Sequence, residues 1–472
     1  MKVLWLCNVM LPVIAEEFHI EASNKEGWLS GLADTMLKEQ QNNGIHLFVA
    51  CPAPAGFLAQ DENLQKKKLI IRGCELTGYF FREDTVCPDR YDPALEQIMD
   101  EIIKDCAPDL VHCFGTEYPH TLAMCRKFPD KKKILITIQG LCSVYANVYY
   151  ADLPSEVIHR ETFRDRLKQD SITEQREKYK RRGEAEIEAV KLAGNVGGRT
   201  AWDRHYVTEW NPSVRYFQMN ETLRKDFYEE RWKKELCEAH SIFLSQGDYP
   251  IKGLHYMLLA LPEILCRYED VHVYVAGNSI VNYKTVKDRI KISSYGKYLR
   301  KLMQEGGLSD RVTFLGKLSS SQMKERYLKS SLFVCCSAIE NSPNSLGEAM
   351  LLGMPCVTAD VGGIPSIFTG GEDGITYPGC KSRKNSFDHT DTDPKSPQCG
   401  EANEEGATDD RILRLRAAAL SDAILKMWDD PQKQESYCLH AREHAMKNHD
   451  RQGNYRQTLE VYRTIAGEGG EV

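Results

Sequence analysis

The sequence predicts an α/β protein made of two doubly wound, Rossmann-like halves. Short apolar runs alternate with amphipathic stretches, which is the pattern of buried parallel strands joined by crossover helices. The alternation runs through two successive series. The length, 472 residues, exceeds what one ordinary core organises and suits two domains.

The first series comprises Val3–Cys7, Ile45–Ala50, Leu110–Phe114 and Ile134–Ile138. The second comprises Ser241–Ser245, Val271–Ala276, Val312–Leu315, Leu332–Cys336 and Cys356–Ala359. Between them lies an aromatic segment, Arg215-Tyr216-Phe217, and the boundary is placed near residue 230, giving domains 1–230 and 231–449. A last helix, from about Asp450 to Ile465, carries Leu459, Tyr462 and Ile465 at helical spacing. Residues 380–410 are acidic and rich in Ser, Asp, Gly and Pro, and they are expected to form a mobile surface loop. His159–Lys191 is a charged helical stretch holding Lys178-Tyr179-Lys180-Arg181-Arg182, which reads as a solvated helix face or as a contact for anionic headgroups. No internal repeat points to a solenoid.

With 42% hydrophobic and 27% charged residues the chain reads as globular, and a net charge of −7 gives no support to bulk nucleic-acid binding. Sixteen cysteines include no C-x-x-C pair, and many lie in apolar runs as small hydrophobes, so a reducing cytoplasm is expected. The start slightly mimics a secretory leader, but Asn8 and Pro12 interrupt it and Glu16-Glu17 follow. No apolar run is long enough to span a bilayer. Placement is expected to be cytoplasmic, with peripheral contact at the inner face of a membrane as an option.

The most informative string is Ala338-Ile339-Glu340-Asn341-Ser342-Pro343-Asn344-Ser345-Leu346-Gly347-Glu348-Ala349-Met350, followed by Gly362-Gly363-Ile364-Pro365. Two carboxylates bracket a polar turn that opens into a helix. Asn344 or Ser345 can cap that helix, whose first amides and positive dipole end then face an anion, most naturally a diphosphate. Glu348 suits ribose hydroxyls and Glu340 a sugar hydroxyl. Ser345-x-x-Glu348 reads equally as a capping box. Upstream, Lys252-Gly253 follows a strand, where an ammonium meets a phosphate oxygen without obstruction.

The string resembles the E-x7-E signature of retaining glycosyltransferases of family 4, the glycosyl transferases group 1, of bacterial surface-polysaccharide type. The resemblance implies the GT-B fold, in which the two domains face each other across a cleft and the C-terminal helix crosses back to the first domain. It implies that Glu340 lies near the transferred sugar, Glu348 binds the ribose, and the backbone at Asn344, Ser345 and Leu346 holds the diphosphate. Lys252 matches the family lysine that neutralises the leaving group. The arginine that many relatives carry ahead of it is replaced by Gly247, and Arg199 is the candidate substitute, with a salt bridge to Asp203 as the structural alternative. Gly27 matches one glycine of the family's Gly-Gly pair. Gln139 stands where relatives show a histidine near the donor sugar. Gly277, Lys317 and Leu318 match positions where main chain wraps the base. His120 is a candidate on the acceptor side, with a capping or surface role as the alternative.

The function implied is transfer of a sugar from a nucleoside diphosphate donor, a UDP-sugar or GDP-sugar, to a glycan or lipid-linked hydroxyl with retention. No metal or other cofactor is expected, since lysine and helix amides supply the positive charge. A retaining glycosidase, which needs carboxylates about 5 Å apart, fits the helix-start context less well. A sugar-nucleotide epimerase of GT-B architecture and a non-catalytic glycan-binding module are the other competitors.

Overall fold

The computed structural model describes residues 1–20, 27–282, 285–379 and 410–467. The expected loop 380–410 lies outside the described residues up to Asp410, where the helix Asp410–Asp429 begins. The chain divides into two compact units. One comprises Met1–Val144, Lys178–Lys225 and Asn448–Val472, and the other Tyr145–Glu177 and Asp226–Lys447. Tyr145–Glu177, which the sequence placed with the first half, thus groups with the second.

The first unit holds β1 (Lys2–Leu6), β2 (His46–Pro52), β3 (Leu64–Ile71), β4 (Cys74–Phe81), β5 (Leu110–Phe114), β6 (Ile134–Thr137), β7 (Asn195–Gly198) and β8 (Arg215–Gln218). They form one sheet in the order β3-β4-β2-β1-β5-β6-β7-β8, parallel except for β3. The central strands β1 and β5 are apolar almost throughout and are buried on both faces. The predicted strands of this series appear as β1, β2, β5 and β6. Four more escaped the sequence reading. β3 exposes Lys66, Lys67 and Lys68 at the sheet edge, β7 is only Asn195-Val196-Gly197-Gly198, β8 is a short half-exposed edge strand, and β4 pairs with β3.

The final helix, Arg451–Ala466, belongs to this unit, with Asp450 as its N-cap. Tyr462 of that helix reaches the sheet: its Oη accepts from Trp5 Nε1 at 2.9 Å and lies 2.6 Å from His112 Nδ1. His112 Nε2 lies 3.1 Å from Thr137 Oγ1, so both ring nitrogens are engaged in a fully buried site.

The second unit holds β9 (Glu238–Leu244), β10 (His272–Ala276), β11 (Val312–Gly316), β12 (Ser330–Cys335), β13 (Cys356–Asp360) and β14 (Ile375–Pro378). The order is β11-β10-β9-β12-β13-β14, with every pairing parallel. All five strands predicted for this series are present, and β14 is additional. The excursion Tyr145–Glu177 is tied in by buried polar groups. Tyr256 Oη donates to Asp152 at 2.7 Å, Arg416 pairs with the same carboxylate, and His255 Nε2 donates to the Ala151 carbonyl at 2.8 Å.

Both sheets are therefore Rossmann-like, and each has a point where the chain reverses its direction of growth. In the first it lies between β1 and β5, in the second between β9 and β12. Loops beyond the carboxyl ends of strands at such a point splay apart and leave a crevice for ligands.

Candidate active site

Two of the residues singled out in the sequence flank the switch point of the second sheet. Lys252 ends the 3-10 turn Pro250–Lys252 that follows β9, and Glu340 lies in the loop after β12. Lys252 Nζ donates to Glu340 Oε1 at 2.6 Å, and Ser337 Oγ donates to the same oxygen at 2.7 Å. The lysine side chain is 20% exposed and the carboxylate 9%. Burial pulls the ammonium down, but the Glu340 carboxylate, with Tyr249 and Tyr145 nearby, more than offsets this and holds Lys252 well above the usual lysine range.

Glycines bring these loops together. Gly253 has φ +72°, and a Cβ there would sit 1.9 Å from the Cys336 carbonyl oxygen. Gly362, at φ +56°, would place a Cβ 2.0 Å from the carbonyl oxygen of Glu340, while Gly363 N donates to that oxygen at 2.9 Å. Ala338 N donates to Ile251 O at 2.8 Å, which links the lysine turn to the Glu340 loop. Main chain alone fits at these approaches.

The helix after Glu340 runs Asn344–Leu352, and its start differs from expectation. Pro343 occupies the N-cap, with no side-chain cap, so neither Asn344 nor Ser345 caps it and there is no capping box. Proline lacks the amide that a capping box needs at its N-cap, and its fixed φ suits the entry to the helix. Asn344 and Ser345 are the first two helical residues, whose amides point out of the helix start. The Leu346 and Gly347 amides donate to Pro343 O at 3.0 and 3.3 Å. The Leu346 amide is thus engaged within the chain. Glu348 lies in the second turn, buried at 4% exposure, and Asn344 Oδ1 is buried without a hydrogen-bond partner. Tyr327 Oη donates to Ser345 O at 2.9 Å and pins the helix start.

On the other side of the switch point, Gly277 and Gly316 close β10 and β11, joined by Gly277 N donating to Gly316 O at 2.9 Å. Lys317 is exposed and Leu318 half-buried beyond them. At Gly247, where the resemblance leads one to expect an arginine, a Cβ would meet Leu254 at 2.8 Å and Val275 at 2.9 Å. A side chain there runs into the buried Leu254 and Val275.

The remaining candidates lie in the first unit. Gly27 opens the helix Gly27–Lys38. Arg199 is buried, and its guanidinium pairs with Glu221 and donates to the carbonyls of Ile138 and Gln139 at 3.2 and 3.1 Å. Asp203 takes the Arg199 backbone amide at 3.0 Å, so the salt bridge considered from sequence has Glu221 as its partner instead. Gln139 Nε2 donates to Glu221 at 2.8 Å. His120 is fully buried rather than a surface residue. It lies near the start of the helix Pro119–Lys127, with Nδ1 2.7 Å from Glu83 and Nε2 3.1 Å from Asn8. Asn8 and His120 follow β1 and β5 and so mark the first sheet's switch point. In the basic cluster, Arg181 bonds Asp89 and Arg182 donates to the Glu117 carbonyl at 2.9 Å.

Ser337 and Asp152 escaped the sequence reading. A lone serine three residues before Glu340 carries no signal, and Asp152 is distinguished only by its buried partners. Gly362 was visible as part of Gly-Gly-Ile-Pro, without a role.

Residues 226–387 match the family model for glycosyl transferases group 1. Among curated proteins, spore coat protein SA of Bacillus subtilis is 32% identical over 26% of this chain and 31% of its own length. The phosphatidyl-myo-inositol mannosyltransferase of Mycobacterium tuberculosis is 24% identical over 49% of this chain and 48% of its own length. The chain thus spans a third to a half of the length of these relatives. Among solved structures, sucrose-phosphate synthase of Thermosynechococcus elongatus superposes with a TM-score of 0.63 at 15% identity, over 99% of this chain and 100% of the other. Anabaena HepE, solved with UDP and glucose, superposes with a TM-score of 0.59 at 14% identity, over 98% and 100%. At these identities the structural likenesses are likenesses of fold.

Proposed function

Taking residues 226–387 as a glycosyl transferases group 1 domain, we propose that this chain transfers a sugar from a nucleoside diphosphate donor to a hydroxyl of a glycan or lipid-linked acceptor, with retention. The observation that carries this reading is the placement of Lys252 and Glu340 on either side of the switch point, beside the start of the helix Asn344–Leu352. An ammonium and a helix N-terminus together suit the two negative charges of a departing diphosphate. Lys252 retains two further N–H donors while bonded to Glu340.

In this mechanism the bond from the anomeric carbon to the diphosphate oxygen breaks, and charge collects on the phosphate. Lys252 and the amides of Asn344 and Ser345 stabilise that charge without reorganisation. The acceptor hydroxyl attacks from the face the phosphate leaves, and a phosphate oxygen takes its proton. Glu340 orients the sugar and favours the positive charge that develops on it. Glu348 accepts from the ribose hydroxyls. HepE's complexes with UDP and UDP-glucose make UDP-sugars the first donors to try.

The test is incubation of the full chain with UDP-glucose, UDP-N-acetylglucosamine and GDP-mannose, with and without simple glycosides and a polyprenyl phosphate. Nucleoside diphosphate release is measured, and the anomeric configuration of the product is read by proton NMR. Acceptor-dependent release with an axial product supports the reading. An inverted product overturns retention. Conversion of the sugar nucleotide without acceptor indicates an epimerase instead.

A further inference from the structure

Two short helices of the second unit pack side by side, Phe163–Lys168 and Val286–Lys291. Thr162 and Asp165 form a capping box at the first, and Asp165 also accepts the Ser294 amide at 2.9 Å, while Ile292 is buried at the end of the second. Each also turns an apolar pair outward at i, i+4 spacing, which places both members on one face. Phe163 is 67% exposed, Leu167 74%, Val286 73% and Ile290 51%. These are four of the ten large apolar side chains that are exposed among the described residues, gathered on two touching helices, whereas scattered single exposures need no explanation.

The rim of this patch is cationic in a chain whose net charge is −7. Arg160, Lys168 and Lys291 are exposed around it. The nearby acids are engaged: Glu161 pairs with Arg166 at 3.1 Å, Asp170 with Arg164 at 2.6 Å, and Asp288 accepts the Thr285 amide at 2.9 Å. Exposed apolar side chains flanked by exposed cations match the boundary of an anionic bilayer, where the apolar tips enter the acyl edge and the cations meet headgroup phosphates. We infer that these two helices form a docking surface for anionic membrane, separate from the Lys252 and Glu340 site. The inference does not depend on the transferase reading.

The test is co-sedimentation of the full chain, without any sugar donor, with vesicles of phosphatidylcholine and of phosphatidylcholine containing phosphatidylglycerol. The expected result is binding to the anionic vesicles alone, weakened by salt. Phe163→Ser with Leu167→Ser, and separately Arg160→Glu with Lys168→Glu, should each weaken binding about tenfold or more while leaving the melting temperature near the parent's. All four residues are exposed, so folding should be preserved. Equal binding to neutral vesicles, or unchanged binding by both variants, overturns the inference. So does a concentration-dependent dimer that the Phe163 and Leu167 variant dissolves, which would make the patch a self-association surface.

Discussion

Lys252 and Glu340 lie 88 positions apart in sequence and are joined by a 2.6 Å bond between Nζ and Oε1. The pair brings together a part-buried cation and the carboxylate that favours its charged form. With Glu340→Gln, burial acts on Lys252 unopposed by that charge, and its proton affinity falls. Nucleotide binding by Glu340→Gln should then decline at alkaline pH where the parent still binds. A variant that follows the parent across the alkaline range contradicts the electrostatic role assigned to the pair.

Lys252→Ala should lower turnover by about 10²- to 10³-fold, the range seen when one preorganised charge-stabilising group is removed. Turnover within about threefold of the parent would show that the leaving diphosphate is held elsewhere. The comparison requires a saturating donor, because weaker binding alone would imitate the loss.

Gly253→Ala combines an unfavourable backbone region with a collision against the Cys336 carbonyl. It should cost about 3 kcal/mol or more. Gly44→Ala is the control, since Gly44 has φ +68° but faces open space, and it should cost about 1–2 kcal/mol. Equal losses in urea denaturation would contradict a steric role for the Cys336 carbonyl at Gly253.

Tyr462→Phe removes one hydroxyl and leaves both Trp5 Nε1 and His112 Nδ1 buried without their partner. The expected cost is about 2–4 kcal/mol, from two desolvated groups. A cost below about 1 kcal/mol would show that water reaches this site.

Two histidine environments give opposite pH dependences. Burial pulls His112 down to about 3 and His255 to about 4, from an ordinary 6.5. The unfolded chain therefore takes up these protons first, and stability should fall as pH drops below about 6.5, by up to about 1.4 kcal/mol per unit for each histidine. His444 is raised above 6.5, first by its hydrogen bond to Asp373 at 2.6 Å. Its contribution is fully present below about 6.5 and is lost as pH rises through the raised value. Melting temperature against pH should show a maximum, and His444→Gln should flatten the alkaline side. A variant curve parallel to the parent's there would contradict the assignment.

Much of this architecture was legible because buried parallel strands write themselves as continuous apolar runs. Val3–Leu6 and Leu332–Cys335 are plain examples. The hairpin of β3 and β4 was not, because Lys66, Lys67 and Lys68 on the exposed edge erase the apolar signal. Asn195–Gly198 was missed because two glycines supply no side chains to pattern. At the candidate site, the chemistry-bearing residues were visible but their pairings were not. Glu340 was read as a sugar ligand, and nothing in the local string tells that Lys252 and Ser337 converge on one of its oxygens. The helix start was misread because Asn344 and Ser345 are good caps by type, while Pro343 holds the position by geometry.

Whether the second unit holds a nucleoside diphosphate at this helix start is decided by calorimetric titration of UDP into the parent, Glu340→Ala and Glu348→Ala at neutral pH. Glu348→Ala should weaken UDP binding by at least about tenfold, the loss of a charge-assisted hydrogen bond to ribose. Glu340→Ala should bind UDP within about threefold of the parent while losing turnover. Equal UDP affinity in the parent and Glu348→Ala, or no binding of UDP, GDP or ADP by any of the three, would contradict nucleoside diphosphate binding at this helix start.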